Sequence, residues 1–186
     1  NNSPLVIISD IVVDGTYCKG EVIIPEGIVS ISPYAFAGNE NITSVIFPGS
    51  LAEIGEDAFG GCSNLKSITL PPSLKHVGIK AFEKCISLTS VTVYAQCIGE
   101  GAFSYCVGLK NVHLEGTESF GKEAFCGCTS LEACTCSELG FIGDSCFDGC
   151  ESLLNFDFSS IERIGIGAFA GCNSLKFLKL NSDTNI

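Results

Sequence analysis

A hydrophobic pattern that returns about every 22 residues is the most regular feature of the chain. Phenylalanine marks one position, with spacings of 23, 23, 21, 22, 22 and 22 residues: Phe36, Phe59, Phe82, Phe103, Phe125, Phe147 and Phe169. Three residues later stands a cysteine in every unit but the first, where Asn39 takes its place: Cys62, Cys85, Cys106, Cys128, Cys150 and Cys172. Columns that hold in register over seven copies predict a solenoid of stacked coils.

Each unit also contains a short run of alternating apolar residues, such as Leu65, Ile68 and Leu70. This alternation predicts a strand with one buried face. Because every strand is followed by a crossover of similar length, successive strands are expected to pair in parallel. The Ala-Phe-x-Gly-Cys segment is too short for a stable isolated helix, so we expect it to form one helical or 3-10 turn.

The two ends of the chain differ from the repeat. Residues 1–20 do not match it, and Leu5–Ile8 followed by Ile11–Val13 predicts a β-hairpin or an irregular strand pair that caps the array. The array then covers residues 21–181 in about seven units of 21–23 residues, and residues 182–186 form a C-terminal tail with no visible cap. Since the chain lacks an initiator methionine, we expect it to be part of a longer protein with its targeting segment elsewhere.

The repeat unit resembles the BspA-like leucine-rich repeats found in surface proteins of host-associated bacteria and some parasitic protists. The motif that carries the resemblance is Ile-Gly-x-x-Ala-Phe-x-Gly-Cys-x-x-Leu-x-x-Ile-x-Leu-Pro, which runs from Ile54 to Pro71. The resemblance implies a leucine-rich-repeat solenoid, a right-handed, β-rich α/β horseshoe. Its parallel sheet would lie on the concave side and its short helical or 3-10 turns on the convex side. It also implies adhesion or recognition at a cell surface.

The charge balance disfavours two classes of partner. The chain has 10 Lys and Arg against 21 Asp and Glu, for a net charge of −11. It contains no basic cluster of the kind that a nucleic-acid backbone requires, and an anionic membrane surface is disfavoured for the same reason. No run approaches the roughly 18 apolar residues of a membrane span, so we expect no direct membrane insertion.

Four of the 12 cysteines form Cys-x-Cys-x5-Cys-x-Cys, a spacing that superficially suggests a metal site: Cys126, Cys128, Cys134 and Cys136. Alignment of the repeats separates them. Cys128 belongs to the buried cysteine column, Cys134 and Cys136 point inward from a strand, and Cys126 is expected to be exposed. A shared metal ion would break the repeat geometry, so we expect none.

Disulfides within the cysteine column are also disfavoured. Parallel stacking places equivalent residues about 4.8 Å apart, whereas a disulfide requires Cβ atoms about 3.8 Å apart and angled together. The column is therefore expected to contain reduced thiols that act as small hydrophobic side chains. Cys18, Cys97 and Cys126 remain as the most accessible thiols.

We expect neither an enzyme nor a cofactor site. A nucleophilic enzyme needs a base beside its nucleophile, and the chain has only two histidines. His76 lies beside Lys75 in the predicted convex turn region, where a solvated surface role is favoured. His113 alternates with buried residues and points outward near Glu115. A catalytic pair is conceivable there, but no Ser or Cys is fixed nearby.

The concave sheet is the best candidate for recognition. Most residues that point outward from it are Ser, Thr or Pro, and the middle of the face departs from this pattern. The candidate partner-binding residues are Tyr94, Asn111, His113, Glu115, Asn155 and Asp157. An aromatic side chain beside polar groups is typical of a recognition patch. The competing interpretation is that Ser and Thr merely decorate a solvated sheet.

Two functional hypotheses follow. The first is a non-enzymatic binding or adhesion module of a cell-surface or secreted protein, which recognises a protein or glycan, for example in the host extracellular matrix. The second is a structural spacer whose repeats hold another domain away from the surface and have no specific ligand face.

Overall fold

The repeated pattern folds into short strands that stack coil upon coil. The computed structural model describes residues 5–136, 139–156 and 161–176. In these ranges the strands are β1 (Val6–Ile8), β2 (Ile11–Asp14), β3 (Gly20–Ile23), β4 (Ser30–Ile31), β5 (Ile42–Ile46), β6 (Glu53–Ile54), β7 (Ser67–Thr69), β8 (His76–Val77), β9 (Ser90–Val93), β10 (Cys97–Ile98), β11 (Asn111–Leu114), β12 (Ser119–Phe120), β13 (Ala133–Cys136), β14 (Phe141–Ile142), β15 (Asn155–Phe156) and β16 (Arg163–Ile164).

The longer strand of each coil belongs to a seven-stranded sheet with the order β15-β13-β11-β9-β7-β5-β3. All its pairs are parallel, and equivalent repeat positions face each other: Val112 lies between Val91 and Cys134. This parallel stacking confirms the predicted β-solenoid. The predicted tail, residues 182–186, lies outside the described residues.

A second sheet, which the sequence did not predict, runs along another side of every coil. It has nine strands in the order β1-β2-β4-β6-β8-β10-β12-β14-β16, and all pairs except β1 with β2 are parallel. From β4 onward each strand has only two residues, and the second of them is a buried apolar residue such as Ile54 or Val77. Two residues are too few to produce a recognisable alternating pattern.

The segments around the column phenylalanines contain no helix in the ranges that the structure describes, so the predicted helical or 3-10 turns are wrong. Phe59 shows the reason. Its amide donates to Ala81 O of the next coil at 2.8 Å, whereas the amide of Gly60 donates to Asp57 O of its own turn at 3.1 Å. Alternate amides therefore bond to the neighbouring coil, while an α-helix would use its amides internally. We call these coil-to-coil bonds the turn ladder.

Left-handed backbone on both sides of each phenylalanine is a second reason for the absence of helix. In the coil of Phe82, Lys80 has a φ of 54° and Lys84 a φ of 58°. Such residues interrupt a right-handed helix and cost about 1 to 2 kcal/mol each when they carry a Cβ. Glycine avoids this cost at the later position in most coils: Gly38, Gly61, Gly127, Gly149 and Gly171.

The phenylalanine column forms a continuous stack through the core. Neighbouring rings have centroid separations of 4.6 to 5.4 Å and interplanar angles of 3 to 12°. Phe36 to Phe147 have no exposed surface, and Phe169 is half-buried at the end of the stack. Each stacked pair contributes about 0.5 to 1.5 kcal/mol beyond the area that it buries. The predicted common core column is confirmed.

The thiols of the cysteine column also make hydrogen bonds. The sequence predicted them only as small hydrophobic side chains. Each thiol is within 3.1 to 3.2 Å of the carbonyl oxygen of the phenylalanine in the preceding coil, as Cys85 Sγ is of Phe59 O. Sulfhydryl donors are weak, but these groups are buried in five of six coils. The thiols therefore connect neighbouring coils as well as fill space.

Asn39 occupies the cysteine position of the first coil and joins it to the preceding residues. Its Nδ2 donates to Gly15 O at 2.9 Å and to Cys18 O at 3.0 Å. One thiol could not supply both donors, which accounts for the departure from cysteine here. Upstream, β1 and β2 form an antiparallel pair. The interpretation of residues 1–20 as a cap stays a prediction. Cys18 has no exposed surface, so its prediction as an accessible thiol is wrong.

Candidate functional site

The candidate residues lie on the side chains that point outward from the seven-stranded sheet, which we call the outer face. In β11, Asn111 and His113 are exposed and alternate with the buried Val112 and Leu114. Asn111 pairs with Ser90 and Ala133 in the flanking strands, and His113 pairs in the same way with Thr92 and Thr135. Asn111 and His113 therefore share one strand and one face, as the alternation predicts.

His113 is held at both ring nitrogens. Its Nδ1 lies 2.9 Å from Thr135 Oγ1, and its Nε2 lies 3.0 Å from Glu115 Oε1. The side chains of His113 and Glu115 are 53% and 55% exposed. Thr135 belongs to the next strand, and its hydroxyl is also 3.4 Å from Val112 O. The contacts fix the orientation of the imidazole on an open surface.

The sequence alone does not single out Thr135, because many outward residues of the sheet are Ser or Thr. Its position opposite His113 in the parallel register is the signal that identifies it. The order hydroxyl, imidazole, carboxylate is that of a nucleophilic triad. However, the exposure of His113 and Glu115 leaves the group in bulk water, without the desolvated environment that strengthens such interactions. The arrangement is better suited to presenting hydrogen-bonding groups than to activating a nucleophile.

The other predicted residues extend this site to different degrees. Tyr94 directly follows β9 and is half-buried, and Glu115 directly follows β11 and donates its amide to Val93 O at 3.0 Å. Asn155 lies in β15 opposite Ala133, but its side chain is outside the described part of the structure. Asp157 lies outside the described residues. The structure thus brings together His113 and Glu115 directly and places Asn111 beside them.

The surface between these residues contains a small depression. A depression of about 230 Å³ is lined by Ser90, Val91, Thr92, Asn111, Val112, His113, Ala133 and Thr135. Small-molecule sites typically have volumes of about 300 to 1,000 Å³ and enclose most of their ligand. The depression is below that range, so by itself it is too small for a typical small-molecule site.

The outer face differs from the predicted Ser, Thr and Pro pattern near its other end. Pro48 and Pro71 are buried, because they lie just after strands where the chain turns back over the core. Ile23 and Ile46 are exposed, at 54% and 48%. This end is therefore more apolar than the centre.

The remaining cysteines and His76 occupy other surfaces. Cys134 is buried, Cys126 is half-buried beside Tyr105, and burial raises the pKa of the Cys126 thiol above its usual range. The prediction of Cys126 as exposed is therefore only partly correct. His76 is exposed in β8 of the second sheet, so its assignment to a turn is wrong. In the described ranges no three His, Cys, Asp or Glu side chains are grouped so as to hold a metal ion.

The described residues contain no helix long and apolar enough to cross a membrane.

Comparisons with known proteins agree with this architecture. A family model for the BspA type leucine rich repeat region matches in six copies, over residues 8–132 and 94–186. No curated protein sequence gives a significant match. A leucine-rich-repeat protein from T. pallidum, whose crystal structure is solved, is 26% identical, with 89% of this chain and 82% of that chain covered and a TM-score of 0.70.

Two further solved structures are more distant in sequence. A leucine-rich-repeat protein from Eubacterium ventriosum is 22% identical with a TM-score of 0.85; the match covers 92% of this chain and 48% of that chain. This chain thus spans about half the length of the Eubacterium protein, and the likeness concerns the fold alone. A leucine rich cell surface protein from Faecalibacterium prausnitzii is 19% identical over 94% of this chain and 79% of its own, and its TM-score of 0.49 is too low to support an argument.

The repeat columns, the parallel coils and the family match over both halves of the array lead to one conclusion. The chain belongs to the BspA-type leucine-rich-repeat family.

Proposed function

We propose that this chain is a non-enzymatic binding module that recognises a protein or glycan through the outer face, at a cell surface or outside the cell. The observation that carries the proposal is the group formed by His113, Glu115 and Thr135, whose hydrogen bonds fix donors and acceptors on an exposed surface. Groups that are already oriented lose less conformational freedom when a partner binds. Membership of a family that includes surface proteins supports the location.

The dimensions of the outer face favour a macromolecular partner. Seven strands about 4.8 Å apart extend about 29 Å, and a four-residue strand is about 13 Å long. This area is far larger than a small molecule would cover, but it is less than the roughly 800 Å² that each partner contributes to a standard protein interface. A partner would therefore also contact the turns that border the sheet.

Binding to immobilised extracellular-matrix proteins and to cultured host cells tests the proposal. The test variant is Asn111→Ala combined with His113→Ala. The control variant is Ser67→Ala combined with Thr69→Ala, which changes the equivalent outward positions two coils away. We expect the test variant to weaken binding by about tenfold or more, and the control to change it less than about twofold. Hydrogen bonding at hot spots has effects of this size.

Binding that is equal in the two double variants would contradict recognition through the centre of the outer face. If the unchanged chain binds none of these surfaces, the spacer hypothesis is favoured instead, because a spacer needs no ligand.

A further inference from the structure

The second sheet carries a hollow that is separate from the outer face. It lies where β12, β14 and β16 run side by side, and its volume is about 580 Å³. Unlike the depression around His113, this volume falls within the range of about 300 to 1,000 Å³ that is typical of small-ligand sites. The hollow is lined by Glu118, Ser119, Gly140, Phe141, Glu162 and Arg163.

The hollow exists because a glycine, Gly140, stands where the equivalent position of every other coil carries a side chain. The residues that precede the two-residue strands form the column Val29, Ala52, Lys75, Gln96, Glu118, Gly140 and Glu162. Gly140 is the only glycine among them and lies between two glutamates. A Cβ added to Gly140 would contact only Glu118 O, at 3.6 Å, which is an ordinary van der Waals distance. The space above Gly140 is therefore open and not filled by packing.

One side of the hollow is formed by a stacked pair of side chains. The Arg163 guanidinium carbon lies 4.4 Å from the centroid of the Phe141 ring, a distance typical of a cation–π contact. Phe141 is the only aromatic residue among the outward positions of these strands, which elsewhere are Ser30, Glu53, His76, Cys97, Ser119 and Arg163. This contact places the guanidinium beside the Phe141 ring at the edge of the hollow.

Arg163 is the only arginine of a chain with a net charge of −11. Despite this excess of carboxylates, none lies within 4.0 Å of its guanidinium in the described part of the chain. Among the described residues no carboxylate therefore competes for its five N–H donors, which can bond to a ligand, as can the carboxylate oxygens of Glu118 and Glu162. The hollow presents donors and acceptors at once.

We propose that this hollow binds a neutral saccharide. A cation would be attracted by Glu118 and Glu162 but repelled by Arg163, and for an anion the reverse holds, so a ligand with charge of one sign does not match the whole lining. Neighbouring hydroxyl groups of a sugar both donate and accept, so they match the carboxylates and the guanidinium together. The apolar C–H face of a sugar ring can pack on the exposed part of Phe141. This site does not depend on the proposed outer face.

Saturation-transfer NMR with the full chain tests the proposal. The probes are the methyl glycosides of glucose, galactose, mannose and N-acetylglucosamine, each at about 10 mM, which is high enough to reveal a Kd of about 1 mM. Acetyl-lysine amide and glucuronate serve as singly charged comparison ligands. We expect at least one neutral glycoside to bind and both charged ligands to bind at least about tenfold more weakly.

Two variants locate the binding. Gly140→Gln places in the hollow the side chain that Gln96 carries at the equivalent position, and Arg163→Gln removes the charged donors. Each is expected to weaken glycoside binding by about tenfold or more with an unchanged melting temperature. The matched control is Lys75→Gln, in the same column but outside the hollow, and it should leave binding unchanged. The outer-face variant Asn111→Ala/His113→Ala should also leave it unchanged.

The proposal is overturned if no neutral glycoside binds, or if only a charged ligand does. It is also overturned if a glycoside binds Gly140→Gln and Arg163→Gln as tightly as it binds the unchanged chain. Loss of glycoside binding in the outer-face variant alone would move the saccharide to the outer face, which would refute this site while supporting the proposed function.

Discussion

Mild alkali is expected to unfold the protein. The core contains many thiols that stay protonated above about pH 8.5 only while the chain is folded. Six of these thiols matter most. In five of them burial is the largest cause of the raised pKa, and in the sixth, Cys85, the hydrogen bond with Cys106 contributes most. Six thiols with at most 4% exposed surface have pKa values far above the usual range: Cys62, Cys85, Cys128, Cys134, Cys146 and Cys150.

The sign and size of the effect follow from proton linkage. A thiol in the unfolded chain has a pKa of about 8.5, so above that pH the unfolded state releases a proton that the native state retains. The stability from each thiol is fully present below about pH 8.5 and is lost as the pH rises toward its raised folded pKa. At about pH 9.5 each thiol costs about 1.4 kcal/mol, and six cost about 8 kcal/mol. This is comparable with a typical total stability of about 5 to 15 kcal/mol.

The assay is guanidinium unfolding followed by circular dichroism at a series of pH values, with a reductant that prevents disulfide formation. We expect the free energy of unfolding to change little between about pH 7 and 8 and to fall steeply above about pH 9. Ultraviolet thiolate absorbance, recorded in parallel, should increase together with the loss of structure.

Cys85→Ala is the control, since it removes one of these thiols. Above about pH 9 the free energy of unfolding should still fall with pH, but the slope should be smaller than that of the unchanged chain by about 1.4 kcal/mol per pH unit. The reasoning is refuted if thiolate absorbance reaches its full value near pH 9.5 while the circular dichroism spectrum stays native. In that case the thiols would ionise within the fold.

Three further predictions concern single residues. Gly78→Ala should destabilise the protein by about 2 to 3 kcal/mol, because the new Cβ would lie 2.5 Å from a backbone carbonyl oxygen. Gly140→Ala should cost less than about 1 kcal/mol, because its Cβ has room. Thermal unfolding compares the two variants, and equal losses of stability would contradict the close packing at Gly78. Asn39→Ala should cost about 2 kcal/mol through the loss of two buried hydrogen bonds, and an unchanged denaturation midpoint would show that these bonds do not stabilise the first coil. Iodoacetamide at about pH 8 should label the half-buried Cys97 of the native protein before any thiol of the buried column, as read by peptide mass spectrometry; early labelling of the column would contradict its burial.

The sequence predicts the coils well because their core positions depend on burial, which repeats visibly. The phenylalanine column fills the same space in every coil and the cysteine column does so in every coil but the first, so their spacing indicates the path of the chain. The route of the backbone between these positions is less visible. The Ala-Phe segment has the composition of a helical turn. A helix is excluded by the bonds from alternate amides to the next coil and by the left-handed residues beside each phenylalanine.

Features that depend on contacts between coils could not be predicted from one unit. The hydrogen bond from Cys85 to Phe59 O joins residues that are 26 positions apart, and no local pattern indicates it. Likewise, Thr135 becomes notable only when the parallel register places it beside His113. The hollow at Gly140 also needs three coils, since its walls come from the glutamates before and after it.

The turn ladder has a consequence for how the length of the molecule can change. Two sheets and the turn ladder cross the boundaries between the described coils. Each coil therefore offers the next one nearly the same set of hydrogen bonds. Insertion or removal of one whole coil would therefore restore all three sets of bonds, whereas loss of half a coil would break them together. The solenoid can lengthen or shorten in steps of about 4.8 Å, so the distance between the site around His113 and either end can be set by coil number alone.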